Sequence, residues 1–207
     1  MRKRQRRVFE AMKVNFRRVW QYALSVAVLM FIIGMAIDTT DVKRYASRME
    51  RLMAKGEYQK ALEVGEQSDK TDRRLMQLRI EALAHEHQLG DRLFAYPIKG
   101  ASGKMAQKGG DYELCAYLID RQLDQFVEAL PRYYQVDQSL PRYYREALVQ
   151  YCHLRSNPRI IYHDNVLDTD YQDMQQLERE YPDRKARQVA VFRQYEGTYW
   201  YYYEYMK

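Results

Sequence analysis

The feature that most constrains this chain is an uncharged run from Trp20 to Ile37, WQYALSVAVLMFIIGMAI. As a helix rising 1.5 Å per residue, its 18 residues span roughly 27 Å, close to the hydrocarbon thickness of a bilayer. Residues 1–18 hold eight basic side chains (Arg2, Lys3, Arg4, Arg6, Arg7, Lys13, Arg17, Arg18) against Glu10. Asp38 and Asp41 follow the other end. Positive charge resists translocation, and Trp20 and Tyr22 suit the headgroup level. The expected topology is a single-pass span over residues 20–37 of a bacterial inner membrane. Residues 1–19 form a basic cytoplasmic segment, and residues 38–207 a periplasmic body. The competing reading is a cleaved signal peptide, with small residues at Gly34 and Ala36 beside a cleavage point. The flank of 19 residues and the long apolar core favour an uncleaved anchor.

Charge then narrows the function classes. The chain's formal +6, less the +7 of residues 1–18, leaves −1 for the rest. A near-neutral body carries no electrostatic footprint for nucleic acid. Two cysteines in 207 residues exclude a disulfide scaffold and a four-cysteine zinc site. Cys115 and Cys152 either bridge adjacent helices in an oxidising compartment or pack as small hydrophobes.

The body carries a period of 34. Gly56, Gly90 and Asp124 stand 34 residues apart, as do Ala61, Ala95 and Ala129, and Pro97 and Pro131. Each Gly or Asp is expected to end one helix in a left-handed turn, and each Ala to let the returning helix approach closely. Apolar residues at helical spacing precede the turns: Tyr45, Met49, Leu52; Leu75, Leu78, Leu83; Leu114, Tyr117, Leu118. A lone hairpin cannot bury such a face, so neighbours must stack.

This pattern is similar to the tetratricopeptide repeat, whose period is 34. Gly56-Glu57-Tyr58 and Ala61-Leu62 resemble that family's turn and second-helix start. Its first-helix Trp, Leu-Gly and Tyr positions are mostly unmatched here. The resemblance covers residues 41–131 and implies an all-α stack of antiparallel hairpins, with residues 132–207 an irregular, Tyr-rich continuation. There, Pro141 opens a helix that stops at Ser156-Asn157-Pro158. Residues 159–164 read as a short extended stretch, and residues 168–180 and 183–205 as two helices. Residues 96–110, with Pro97 and four glycines, read as the longest loop. The strings LPRYYREALVQY, NPRIIYHDN and YEGTYWYYYEY also resemble the C-terminal domain of Bacteroidota membrane proteins that have no assigned activity. That resemblance implies a location and no chemistry.

Motifs for catalysis are weak. Gly100 to Lys104 departs from a phosphate loop at Ile98 and Met105. His85 and His87 lack the spacing for one metal, and His153 and His163 lie ten apart. We expect no metal and no cofactor. The anomaly is tyrosine, with 20 residues, 16 of them from Tyr112 onward. The doublets Tyr133-Tyr134 and Tyr143-Tyr144 sit in an LPRYY echo, and Trp200, Tyr201 and Tyr202 in the tail cluster Tyr199–Tyr205. Tyr in such numbers serves core packing, a binding surface or a bilayer interface. A helix turns 100° per residue, so some tail rings are expected to be exposed. We therefore nominate Tyr133, Tyr134, Arg142, Tyr143, Tyr144, Trp200, Tyr201 and Tyr202 as a partner-binding set. The expected function is a membrane-anchored scaffold for protein–protein interaction without catalytic activity. The alternative is an envelope enzyme acting on glycan, with Asp164, Asp168 or Asp170 in acid–base roles.

Overall fold

The computed structural model describes residues 20–30, 41–100 and 102–206. The chain divides into two compact units, residues 1–44 and 45–207. In the first unit, residues 20–30 are helical and exposed. The basic segment 1–19 and residues 31–37 of the apolar run lie outside the described residues. Among the described residues no helix is long and apolar enough to cross a membrane.

The second unit is helical, with no strand among its described residues. Its elements are α1 (residues 41–53, of which 45–53 fall in this unit), α2 (Tyr58–Leu62), α3 (Arg73–His85), α4 (Leu89–Arg92), α5 (Gly110–Ile119) and α6 (Leu123–Ala129). Then come α7 (Arg142–Leu154), α8 (Asn165–Glu180), α9 (Arg184–Tyr195) and α10 (Tyr199–Tyr205). Side-chain caps start several of them. Asp72, Asp164, Asp183 and Thr198 each accept a hydrogen bond from the backbone N–H three residues on, at 2.7, 3.2, 2.9 and 3.2 Å. These bonds satisfy orphan donors at the helix start.

The first six helices form three hairpins with the same turn. A backbone N–H bonds back five residues, from Glu57 to Leu52 O, from Gln88 to Leu83 O and from Gln122 to Tyr117 O, at 3.0, 2.8 and 2.8 Å. The residue before each donor has positive φ: Gly56 at 75°, His87 at 55° and Arg121 at 58°. This is the Schellman closure of a helix C-terminus. It corrects the sequence register. Gly56 corresponds to His87 and Arg121, not to Gly90 and Asp124, so the hairpin spacing is 31 and then 34.

Gly90 instead lies within α4, where an added Cβ would meet Pro141 Cβ at 2.7 Å and Tyr144 Cζ at 2.9 Å. Its small size lets α4 touch α7. Asp124 lies in the first turn of α6 and pairs with Arg155 at 2.7 Å. Ala61 and Ala129 are buried, whereas Ala95 is exposed after a short 3-10 turn over Leu93–Ala95.

Further along, α7 begins after Pro141 and ends before Pro158 as expected. Residues 159–164 are irregular rather than extended strand. The expected helix over 183–205 breaks into α9 and α10 at Gly197, whose φ is +76°. The short α10 is a core element, packed against α7 and α9.

Candidate functional site

The nominated aromatic set divides sharply. Tyr143, Tyr144, Trp200, Tyr201 and Tyr202 are all buried, Trp200 at 1% exposure. The expectation that some rings of Tyr199–Tyr205 face outward is therefore corrected for Tyr199 to Tyr202, whereas Tyr203 and Tyr205 are half-buried. It treated α10 as a helix with one covered face. Instead α7, α8 and α9 all contribute neighbours. Trp200 Nε1 donates to Glu146 O at 2.7 Å and its ring meets Tyr171 of α8, while the Tyr201 ring meets Phe192 of α9. Tyr202 donates to Ile119 O at 2.7 Å. The Trp200 N–H and the Tyr202 hydroxyl thus have partners, as buried groups require, whereas the buried Tyr199 hydroxyl has none among the described residues.

The LPRYY echo has two structural roles. In the first copy, Glu113 collects Tyr133 at 2.6 Å, Arg132 at 2.8 Å and Tyr117 at 3.0 Å. The Tyr133 hydrogen bond leads in holding the Glu113 carboxyl below its ordinary value. Tyr134 and Tyr144 both donate to Asp111 Oδ1, at 2.7 and 2.8 Å. In the second copy, exposed Arg142 donates to Glu146 at 2.7 Å. Glu146 also accepts the Tyr199 N–H at 2.7 Å, and its burial pushes its carboxyl upward. Of the nominated residues only Tyr133, Tyr134 and Arg142 reach the surface, and all three are committed to carboxylates.

Two of the residues nominated for acid–base work, Asp164 and Asp168, are held in structural pairings. Asp164 is the cap of α8 and pairs with Arg145 at 3.1 Å. Asp168 accepts from the Asp164 N–H and faces His153 at 3.2 Å, while Asp170 is exposed. Cys115 and Cys152 are both free. Cys115 is buried beside the Tyr144 hydroxyl at 3.4 Å, and burial raises its thiol far above the ordinary value. His85 stacks on Tyr58 with centroids 4.2 Å apart. Among the described residues no group of His, Cys, Asp or Glu could hold a metal ion.

A cavity of about 620 Å³ lies elsewhere. It is an open groove lined by α3 and by Lys99, Ser102, Lys104, Met105 and Lys108, with Glu50 of α1 and Tyr112 of α5 also in its lining. Along α3, Arg73, Gln77 and Glu81 succeed one another at four-residue intervals and so share one face. Met76, Ile80 and Met105 are buried along the groove. The facing wall is fastened rather than loose. The Lys99 N–H lies 3.3 Å from Met76 Sδ, and Ser102 donates to Asp120 from its backbone and its hydroxyl, at 3.1 and 2.7 Å.

Five cations line the groove: Arg73, Arg74, Lys99, Lys104 and Lys108, against Glu50 and Glu81. Arg74 grips Glu50 through two nitrogens at 2.6–2.9 Å. Lys108 lies 3.9 Å from Glu81 and 4.5 Å over the Tyr112 ring. The sequence reading missed this site. Its signals were the Arg73-Arg74 pair and three lysines spaced through a stretch read only as a loop.

No curated protein and no solved structure matches the chain. Residues 103–206 match a family model, however, from the groove's second wall through α10. That match covers half of the chain, which therefore belongs to a family of unknown function (DUF6057).

Proposed function

We propose that the chain is a membrane-anchored scaffold for protein–protein interaction. In this reading residues 20–37 form an uncleaved anchor in a bacterial inner membrane, with residues 1–19 cytoplasmic and the helical body periplasmic. The body is a tetratricopeptide-like stack whose regular part is the three hairpins and whose continuation is α7–α10. The observation that carries the reading is the groove of about 620 Å³ along α3, lined by side chains of both signs. Stacked hairpins suit extended ligands on such surfaces. The anchor rests on the basic flank and the apolar run. The exposed apolar helix of residues 20–30 is consistent with it.

The scaffold reading moves the binding surface from the aromatic tail to the first half of the body. Affinity purification of the intact chain from membranes tests it. A defined set of co-purifying proteins is expected, and it should persist when Trp200-side variants that remain folded are compared. Recovery of the folded chain alone, under several detergents and after crosslinking in cells, would contradict it. For the topology, a reporter active only outside the cytoplasm, fused after Lys207, should be active.

A further inference from the structure

We propose that the cationic groove between α3 and the wall formed by Lys99 and residues 102–108 docks an acidic peptide segment of a partner protein, one that alternates carboxylates with apolar side chains. This rests on the scaffold reading and names the chemistry of its partner.

Charge carries the first part. Arg74 is neutralised by Glu50, and Lys108 has Glu81 nearby. Among the described residues Arg73, Lys99 and Lys104 pair with no carboxylate. Three unmatched cations around one concavity depart from a body whose overall charge is near zero. A cleft with a net excess of one sign and low-dielectric walls concentrates the field and draws in the opposite charge.

Shape carries the second part. A point anion such as phosphate is best met by donors converging on one spot. Here the cations stand on both walls, and the α3 wall from Arg73 to Glu81 runs roughly 12 Å at 1.5 Å per residue. That length matches three to four residues of extended chain at roughly 3.3–3.6 Å each. Between the charges lie Met76, Ile80 and Met105, which offer an apolar floor. Methionine adapts to irregular partners. Because Lys99 and Ser102 fasten the second wall to α3 and to Asp120, little ordering is lost on docking.

The test uses the full chain in detergent and a fluorescein-labelled ten-residue peptide of alternating Glu and Leu, read by anisotropy. Saturable binding is expected, weaker as salt is raised because the pairs are exposed. A Glu–Ser peptide should bind more weakly, and a Lys–Leu peptide should not bind. Exposed charge pairs contribute about 0.2–1 kcal/mol each. The combined Arg73→Glu, Lys99→Glu and Lys104→Glu variant should therefore lose about tenfold or more in affinity. All three side chains are exposed, so the melting temperature should hold. Absence of saturable binding, equal binding of the Lys–Leu peptide, or an affinity insensitive to both salt and the triple reversal overturns the proposal. Preferential binding of vesicles rich in anionic phospholipid, displacing the peptide, overturns it as well. If the peptide fails while proteins still co-purify with the intact chain, the scaffold reading stands and this assignment falls.

Discussion

Arg121 donates from Nε to the Tyr203 carbonyl at 2.9 Å, joining the turn of the third hairpin to the last helix, 82 residues later in the chain. Its Nη2 reaches the Tyr202 and Met206 carbonyls, and its guanidinium lies 4.9 Å from the Tyr202 ring centroid. One side chain thus supplies donors and positive charge at the C-terminus of α10, where orphan carbonyls need both. Arg121→Ala should destabilise the body by about 2–3 kcal/mol, since hydrogen bonds from charged groups contribute about 1.5–3 kcal/mol. Chemical denaturation measures it. A change under about 0.5 kcal/mol, the range of ordinary surface substitutions, would remove Arg121 as the cap.

His87 occupies the same turn position at φ 55°, but it is exposed and its side chain makes no compensating bond among the described residues. A left-handed backbone costs a non-glycine residue roughly 1–2 kcal/mol. His87→Gly should therefore stabilise by up to about 1 kcal/mol and raise the melting temperature. A loss of stability would show that the turn does not select for glycine.

Gly90 and Asp124 separate the two registers. If they were equivalent turn residues, replacing either with Ala would have similar effects. The structure predicts otherwise. Gly90→Ala pushes a Cβ into Pro141 and Tyr144 and should cost about 1–3 kcal/mol by overpacking. Asp124→Ala breaks one exposed pair and should cost at most about 1 kcal/mol.

Those two residues also mark how far the sequence could be read. The all-α character, the hairpins and the boundaries of α7 followed from apolar spacing and from Pro141 and Pro158, which act locally. The 34-residue register was visible in the spacing of Gly56, Gly90 and Asp124, but spacing did not carry role. Gly90 is small because α7 passes beside it, a contact 51 residues away in sequence. His87 and Arg121 hold the turns without a glycine to mark them. The groove was harder still, since its walls come from α3 and a stretch that begins 14 residues after it ends, at Lys99. The aromatic tail misled at Tyr199 to Tyr202 because a helix turning 100° per residue exposes rings only toward a free surface, and α7, α8 and α9 cover that part of α10.

Trp200 tests that last point. It is 1% exposed and donates to Glu146 O at 2.7 Å. Trp200→Ala should cost about 3–5 kcal/mol, as large core truncations do. A folded variant of near-normal stability would return the aromatic tail to the surface.

Glu113 predicts a pH dependence. Its folded carboxyl sits below the ordinary value of 4.5, through the Tyr133 hydrogen bond first, with Tyr117 and Arg132 adding to it. The unfolded state therefore binds the proton more tightly. Stability from this group is present above pH 4.5 and is lost as pH falls through the lowered folded value. Glu113→Gln should flatten the melting-temperature profile below that pH relative to the unaltered chain. Parallel profiles would mean the cluster does not hold the carboxylate.

The most direct measurement of the central claim is site-specific photo-crosslinking in intact cells. The photoreactive residue is placed at Gln77, exposed on the α3 wall of the groove, or at Gln194, exposed on the outer helix α9. The scaffold account predicts a discrete protein adduct from position 77, absent from position 194. Adducts from position 194 with none from position 77 would contradict it.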